Sequence, residues 1–170
     1  MKHNLILSIV IPTKERYEYL KILTKSLIKS TSNKYEIIIT DNTKLNSEIV
    51  EFLSDVNSNK IKYYHYPEWM SVSDNFDKGV EKANGKYVIV LGDDDGILID
   101  ESIKFLKKCY DQGIQAIYPK AISYQWPDNS HSTWGSLGGT IDMNRKPFFT
   151  KKINAQKELN KQMNYGFGYG

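Results

Sequence analysis

Short apolar runs alternate with amphipathic stretches along most of the chain. Runs at 5–11, 35–40, 61–66 and 87–91 predict four strands, and a fifth is predicted at 115–118 with a continuation at 121–126. Between the first two runs, Leu20, Leu23 and Leu27 recur at the spacing of a helix face, with lysines on the opposite side. Strands that alternate with helices in this way predict an α/β fold with a mostly parallel central sheet.

The residues that flank these runs predict where the elements begin and end. Pro12 is expected to end the first strand, because proline has no N–H to donate to a central ladder. Asn84-Gly85 and Gly113 are expected to end helices, and Gly85 stands in the position that commonly adopts the left-handed conformation. The third run is placed near a sheet edge, whereas the wholly apolar fourth run is typical of a strand buried on both faces. The side chains expected to cap helices are those of Thr13, Ser47, Ser73 or Asp74, and Asp100.

Three adjacent aspartates follow the fourth run, between two glycines. Asp93, Asp94 and Asp95 repel one another, and a divalent cation that prefers hard oxygen ligands, Mg²⁺ or Mn²⁺, would remove that repulsion. Ligands of an open parallel sheet bind outside the carboxyl ends of its strands, which is where these carboxylates fall. The stretch therefore predicts a metal site for a diphosphate-bearing substrate, and a solvated acidic loop is the alternative.

Other polar residues follow the remaining strands and could converge on the same cleft. They are Pro12, Thr13 and Glu15 after the first strand, Asp41 and Asn42 after the second, and Asp74 and Asn75 at the start of the helix before the fourth. Each also has a simpler interpretation, as a helix cap, a turn residue or a helix start.

Composition and absent motifs exclude several classes of protein. The chain has 170 residues and a net charge of +3, which does not suggest a nucleic-acid binder. Its one cysteine, Cys109, rules out an internal disulfide and is predicted to be a buried thiol, while His3, His65 and His131 lack metal-ligand spacing. No dinucleotide-binding glycine motif, P-loop or nucleophile elbow is present. Without a signal peptide or an apolar run that could span a bilayer, the expected location is cytoplasmic.

Several stretches of the chain resemble family 2 glycosyltransferases of the GT-A fold. They are 7–13 (LSIVIPT), 36–42 (EIIITDN), and 75–85 running into 87–95 (YVIVLGDDD), in the family's order and spacing over about two thirds of the chain. The stretches 73–76 and 92–96 are similar to those of a bacterial subgroup. The resemblance implies a Rossmann-like three-layer α/β sandwich, with a donor-binding core at 1–126 and the incomplete start of an acceptor-side region at 127–170.

The resemblance also implies roles for residues on the nucleotide side of the cleft. Pro12, Thr13 and Glu15 match the turn that lines the nucleotide pocket. Asp41 matches the aspartate that accepts a hydrogen bond from the base, and Asn75 matches an asparagine beneath the donor site.

The acidic stretch matches the family's D-x-D region, with a shift. Gly92 stands where the first aspartate is usual, so Asp94 is the best match for the metal ligand, and Asp93 would meet the ribose or the metal. Asp95 would assist. Asp74 replaces the basic residue often found before the asparagine, which removes a phosphate contact and leaves the nucleotide open.

The function implied is transfer of a sugar from a UDP- or GDP-sugar to the hydroxyl of a glycan or lipid-linked acceptor. In this family the step is usually inverting, depends on Mn²⁺ or Mg²⁺, and here would serve bacterial surface polysaccharide synthesis at the inner face of the membrane, with peripheral membrane association. No catalytic base is recognised, since Asp128 and Asp142 lack family support. The chain is therefore expected to hold the donor half without the acceptor half, as an inactive truncation. A non-catalytic nucleotide-sugar binder and a nucleotidyltransferase stay open as alternatives.

Overall fold

A computed structural model describes residues 5–117 of the chain. Four strands and four helices alternate along it: β1 Leu7–Thr13, α1 Tyr17–Leu27, β2 Tyr35–Asp41, α2 Ser47–Val56, β3 Ile61–His65, α3 Val72–Glu81, β4 Tyr87–Val90 and α4 Ile99–Asp111. The chain divides into two units, Met1–Gln115 and Ala116–Gly170, and the elements all belong to the first. Residues 115–117 lie in no strand, and the rest of the predicted fifth strand, like the boundary predicted after 126, lies outside the described residues.

The four described strands form one parallel sheet in the order β3-β2-β1-β4. Helix α3 covers one face, where Gly79 packs against Val10 of β1. Tyr35 of β2 points to the other face and donates to the carbonyl of Leu27 in α1, and Tyr87 of β4 donates to the carbonyl of Ile114, just after α4. Helix α2 packs beside α1. These layers confirm the predicted three-layer α/β sandwich.

The core lies in the two central strands. Residues 9–11 of β1 and 37–39 of β2 are buried completely, because helices cover both of their faces. Among the described strands the third is at an edge, as predicted. The fourth is not buried on both faces: Val88 and Val90 are 42% and 38% exposed. Within the described residues β4 is also an edge strand, and α3 packs mainly on β1 and β2.

Pro12 does not end the first strand, which continues through Thr13. The carbonyls of Ile6 and Val10 accept hydrogen bonds from Tyr87 and Leu91, so even-numbered residues of β1 turn their backbone groups toward β4. Pairing with β4 stops at Val10. The missing N–H of Pro12 therefore faces the β4 side just beyond the last paired residue, while pairing with β2 continues to Thr13.

The residues that precede the helices are not the predicted caps, although α2 begins at Ser47 itself. Thr13 lies in β1, α1 and α2 follow Arg16 and Asn46 without a side-chain cap, and α4 follows Leu98. The cap of helix α3 lies two residues before Ser73 and three before Asp74, because the hydroxyl of Ser71 accepts a hydrogen bond from the Asp74 backbone N–H. Capping preference alone therefore identified the wrong cap for each helix. Some of the predicted side chains are engaged in tertiary contacts, and others lie inside the helix.

Two glycines are needed for close packing. A Cβ at Gly79 would lie 2.2 Å from Cγ1 of Val10, and one at Gly85 would lie 2.6 Å from the backbone nitrogen of Ser8. Gly85 is therefore required for the approach of the α3–β4 turn to β1, not for a left-handed conformation. Gly113, with φ of 69°, adopts that conformation just after α4, the helix that it was predicted to end.

Cys109 is a buried free thiol, as predicted, and its burial raises the pKa of the thiol. No helix between residues 5 and 117 is both long enough and apolar enough to cross a bilayer.

Candidate functional site

The carboxyl ends of β1 and β4 are joined by a buried hydrogen bond. The hydroxyl of Thr13 donates to Oδ2 of Asp93 at 2.8 Å, and both side chains are almost completely buried. Because β1 and β4 are adjacent parallel strands, residues 80 positions apart in the chain meet here. The structure thus brings together two of the residues that the sequence assigned to the site.

Arg16 completes this cluster, although no role was predicted for it from the sequence. Its Nη1 lies 3.2 Å from Oδ1 of Asp93, and its Nη2 lies 2.7 Å from Oδ2 of Asp94. One guanidinium therefore spans two carboxylates, a geometry that its planar set of donors favours. A signal was present in the sequence, since Arg16 is one of only two arginines among 23 basic residues.

The two carboxylates differ in their electrostatic surroundings. The hydrogen bond from Arg16 lowers the pKa of Asp94, which is about half exposed, against a smaller opposing effect of burial. Burial raises the pKa of Asp93, and this outweighs its hydrogen bond from Thr13 and the positive charge of Arg16. Asp94 is therefore the more firmly ionised of the pair and the more accessible to a cation from solvent.

Gly92 and Asp95 form a tight turn around the same cluster. The Asp95 N–H donates to the Gly92 carbonyl at 3.1 Å, and the Gly92 N–H donates to Oδ2 of Asp95 at 3.1 Å. A Cβ at position 92 would lie 2.9 Å from that oxygen and 3.0 Å from Oδ1 of Asp94. Glycine in the first place of the motif lets both carboxylates fold back over the backbone.

A second cluster lies at the end of β2, around Asp41. Its carboxylate is fully buried and accepts from the hydroxyls of Tyr17 at 2.7 Å and Tyr63 at 2.6 Å, and from the N–H of Thr43 at 2.8 Å. Burial, with the negative charge of Asp41, raises the pKa of Tyr17 to about 12 and also raises the pKa of Tyr63. Neither tyrosine was predicted to belong to the site.

Asn75 of α3 ties the two clusters together. Its Nδ2 lies 3.4 Å from the carbonyl of Thr13 and 3.3 Å from that of Thr40, so it links the ends of β1 and β2. Its Oδ1 is buried without a hydrogen-bond partner. A buried acceptor without a partner is energetically costly, which makes this oxygen a candidate to accept a hydrogen bond from a bound ligand.

The remaining predicted residues make hydrogen bonds or strand pairs with groups other than the carboxylates of Asp93 and Asp94. Glu15 has a left-handed backbone with φ of 56°, and its N–H donates to the hydroxyl of Thr43 at 2.7 Å. Asn42 donates to the carbonyls of Tyr66 and Glu68, each at 2.6 Å. Asp74 accepts from the Ser71 hydroxyl at 2.6 Å, at the start of α3. Pro12 pairs with Thr40 inside the sheet.

The carboxylates of Asp93 and Asp94 fit a divalent cation that takes most of its other ligands from water and substrate. Among residues 5–117, no three side chains of histidine, cysteine, aspartate or glutamate are grouped to enclose a metal ion. Asp93 and Asp94 nevertheless hold a cation, the guanidinium of Arg16, between hard oxygen ligands. Magnesium-type ions are commonly bound by one or two carboxylates together with substrate phosphates and water, and this pair suits that arrangement.

The sequence profile of glycosyl transferase family 2 matches residues 8–168 of this chain. The chain therefore belongs to glycosyl transferase family 2, as its sequence predicted. No curated protein matches it.

Solved structures with the same fold include two proteins with nucleotide-sugar complexes. TarS of S. aureus, residues 1–349, superposes with a TM-score of 0.53 at 21% identity, over 64% of this chain and 33% of that one. Its complex with UDP-GlcNAc gives 0.52 at 21% identity, over 64% and 32%. The mannosyltransferase PcManGT of Pyrobaculum calidifontis, in complex with GDP-Man and Mn²⁺, gives 0.52 at 11% identity, over 61% and 32%.

At these identities the similarity establishes the fold alone, and that fold is the predicted GT-A fold. The chain spans about a third of the length of each of these structures.

Proposed function

We propose that this chain binds a nucleotide-diphosphate sugar at the carboxyl edge of its sheet and forms the donor side of a glycosyltransferase. The observation that supports this most is the cluster of Thr13, Asp93 and Asp94 at the ends of two adjacent parallel strands. Ligands of open α/β sheets bind at this edge. Membership in glycosyl transferase family 2 supports an activated sugar as the ligand.

Each polar group at this edge has a proposed part in donor binding. Asp94, ionised and half exposed, would be the main ligand of Mn²⁺ or Mg²⁺, with Asp93 fixed by Thr13 and Asp95 assisting. When bound, the metal ion would offset the negative charge that develops on the leaving diphosphate. The unpartnered Oδ1 of Asn75 would accept a hydrogen bond from the donor.

Asp41 is proposed to accept a hydrogen bond from the nucleobase. This requires a free lone pair on its carboxylate and access to it. A carboxylate offers about four lone-pair sites, and three are engaged by Tyr17, Tyr63 and the Thr43 N–H. One site stays available, and a base can reach it only if the cover over this buried group opens. Pro12 and Glu15 would line the pocket beside it.

The finer features of the reaction are proposals that follow from the family. We propose inverting transfer to the hydroxyl of a glycan or lipid-linked acceptor in bacterial surface polysaccharide synthesis, at the cytoplasmic face of a membrane with which the protein associates peripherally. A hydroxyl acceptor needs a general base, and no described residue is assigned to that part. The chain itself would bind and position the donor.

Hydrolysis and binding assays with nucleotide sugars test the proposal. Release of UDP or GDP in the presence of Mn²⁺, lost in Asp94→Ala and retained in Asp77→Ala, would support a transferase. Asp77 is an exposed aspartate on α3 outside the cluster, which makes it the matched control. Calorimetric binding without turnover would favour a non-catalytic nucleotide-sugar binder. Incorporation of nucleotide from a triphosphate would reject the proposal in favour of a nucleotidyltransferase.

A further inference from the structure

The guanidinium of Arg16 occupies the space between the two carboxylates that the proposed metal would use. It contacts Oδ1 of Asp93 at 3.2 Å and Oδ2 of Asp94 at 2.7 Å. We propose that Arg16 is an internal counter-cation that a divalent metal must displace, so that the free protein binds metal more weakly than its carboxylates alone would allow. This inference rests on the proposed function and describes how its metal site is regulated.

The contacts leave little room for both cations on the pair. Oδ2 of Asp93 is taken by the Thr13 hydroxyl, and Arg16 engages the other oxygen of Asp93 and one oxygen of Asp94. A metal ion bound at about 2.1 Å from these oxygens would lie within a few ångströms of a unit positive charge. At about 4 Å, a divalent ion and a guanidinium repel each other by roughly 2 kcal/mol even at the dielectric constant of water.

Arg16 is placed so that it can leave without disrupting the fold. It is 44% exposed, and its contact with Asp94 is a surface ion pair of the kind that adds little stability. In the same conformation the guanidinium lies 4.9 Å from the centre of the Tyr19 ring, a favourable cation–π contact that does not involve the carboxylates. Asp93 keeps its buried hydrogen bond from Thr13 when Arg16 moves, so one half of the metal site stays in place.

Titration of the protein with Mn²⁺ alone, without nucleotide, tests this competition. Free Mn²⁺ gives a paramagnetic resonance signal that is lost on binding, so the dissociation constant can be measured directly. Arg16→Gln is expected to bind Mn²⁺ about tenfold more tightly than the wild-type chain, because a repulsive charge is removed and two oxygens are released. Arg16→Lys, which keeps the charge but cannot span both carboxylates, is expected to gain about threefold.

Lys14→Gln is the matched control. It removes the same charge from the same loop, but Lys14 contacts neither Asp93 nor Asp94. It should change Mn²⁺ affinity by less than about twofold. Thermal unfolding of all three variants establishes that each is folded.

Two contrary results are distinguishable. Mn²⁺ binding that is measurable but no tighter in Arg16→Gln than in Lys14→Gln overturns the inference and leaves the proposed metal site intact. If neither the wild-type chain nor Arg16→Gln binds Mn²⁺, both the inference and the metal site of the proposed function are wrong.

Discussion

Replacing Gly79 by alanine is expected to lift α3 away from the sheet. The added methyl group would lie 2.2 Å from Cγ1 of Val10, whereas carbon atoms in contact are ordinarily about 3.5 Å apart or more, so α3 must move by about 1.3 Å or Val10 must leave its place. Val10 is completely buried in a central strand and has little freedom to do so. Overpacking of this kind costs about 1–3 kcal/mol, and the better helix propensity of alanine returns up to about 1 kcal/mol.

With about 2 kcal/mol for the overpacking and about 1 kcal/mol returned by alanine, the net loss in the free energy of unfolding is about 1 kcal/mol, measurable by urea denaturation. A double-mutant cycle isolates its cause. Val10→Ala removes the clashing methyl group, so Gly79→Ala should cost about 1–2 kcal/mol less in that background than in the wild-type chain. Gly96→Ala, where a Cβ would meet nothing within 4 Å, is the control and should change stability by less than about 0.5 kcal/mol. Additive effects of Val10→Ala and Gly79→Ala would refute this account of the packing.

Gly79→Ala is also expected to weaken nucleotide-sugar binding, although position 79 lies away from the carboxylates. Asn75 lies one turn earlier on the same buried side of α3, and its hydrogen bonds to Thr13 and Thr40 are already long, at 3.4 and 3.3 Å. A shift of about 1.3 Å would break both. Nucleotide-sugar affinity, measured by calorimetry at a temperature where the variant is folded, should fall with it. An unchanged affinity would show that donor binding does not depend on the position of Asn75 relative to the sheet.

Three further predictions concern other parts of the described fold. Burial raises the pKa of Glu36, but the hydrogen bonds from Lys62, Ser8 and the Asn84 N–H outweigh this effect and lower the pKa overall. The free energy of unfolding should therefore fall as pH drops below about 4.5. Urea midpoints of Glu36→Gln should lack this acid-dependent loss, and an equal loss in the variant would contradict the assignment. Because the pKa of Tyr17 is raised to about 12, stability should also fall as pH rises from about 10 to about 12, and Tyr17→Phe should lose that part together with one high-pH step in the ultraviolet titration. Ser71→Ala removes the cap of α3 and should cost about 1 kcal/mol in thermal unfolding, whereas an unchanged midpoint would show that the cap adds no stability.

The sheet could be predicted from the sequence because burial leaves a direct record in residue type. The runs at 35–40 and 61–66 agree with β2 and β3 to within one residue, since apolar and β-branched residues mark buried strands. The same reasoning failed for the faces of β4, because exposure at a sheet edge depends on which helix covers it. It failed for Pro12 because the consequence of a missing N–H depends on where the neighbouring strand ends.

The site could be predicted only in part, for a related reason. Residues at strand ends were identified because parallel topology sends them to one edge, and Thr13 and Asp93 do meet there. Their exact partners depend on contacts between positions far apart in the chain. Nothing local distinguishes Tyr17 and Tyr63 from the other tyrosines, although both donate to Asp41. The roles of Asp41 and Asn75 in donor binding, and of Asp94 and Asp95 in metal binding, stay predictions.

The link between Thr13 and Asp93 has a consequence for the order in which the protein folds. The contact between β1 and β2 made by Ser8 and Glu36 closes 28 residues, and that between Asn42, just after β2, and Tyr66 closes 24. Thr13 and Asp93 close 80. Longer closures cost more chain entropy and tend to form later. The cluster around Asp41 can therefore assemble before β4 arrives, whereas the carboxylate pair meets Thr13 only once β4 has paired with β1. During refolding, Mn²⁺ capture should follow the docking of β4, and nascent chains shorter than about ninety residues should lack metal affinity altogether.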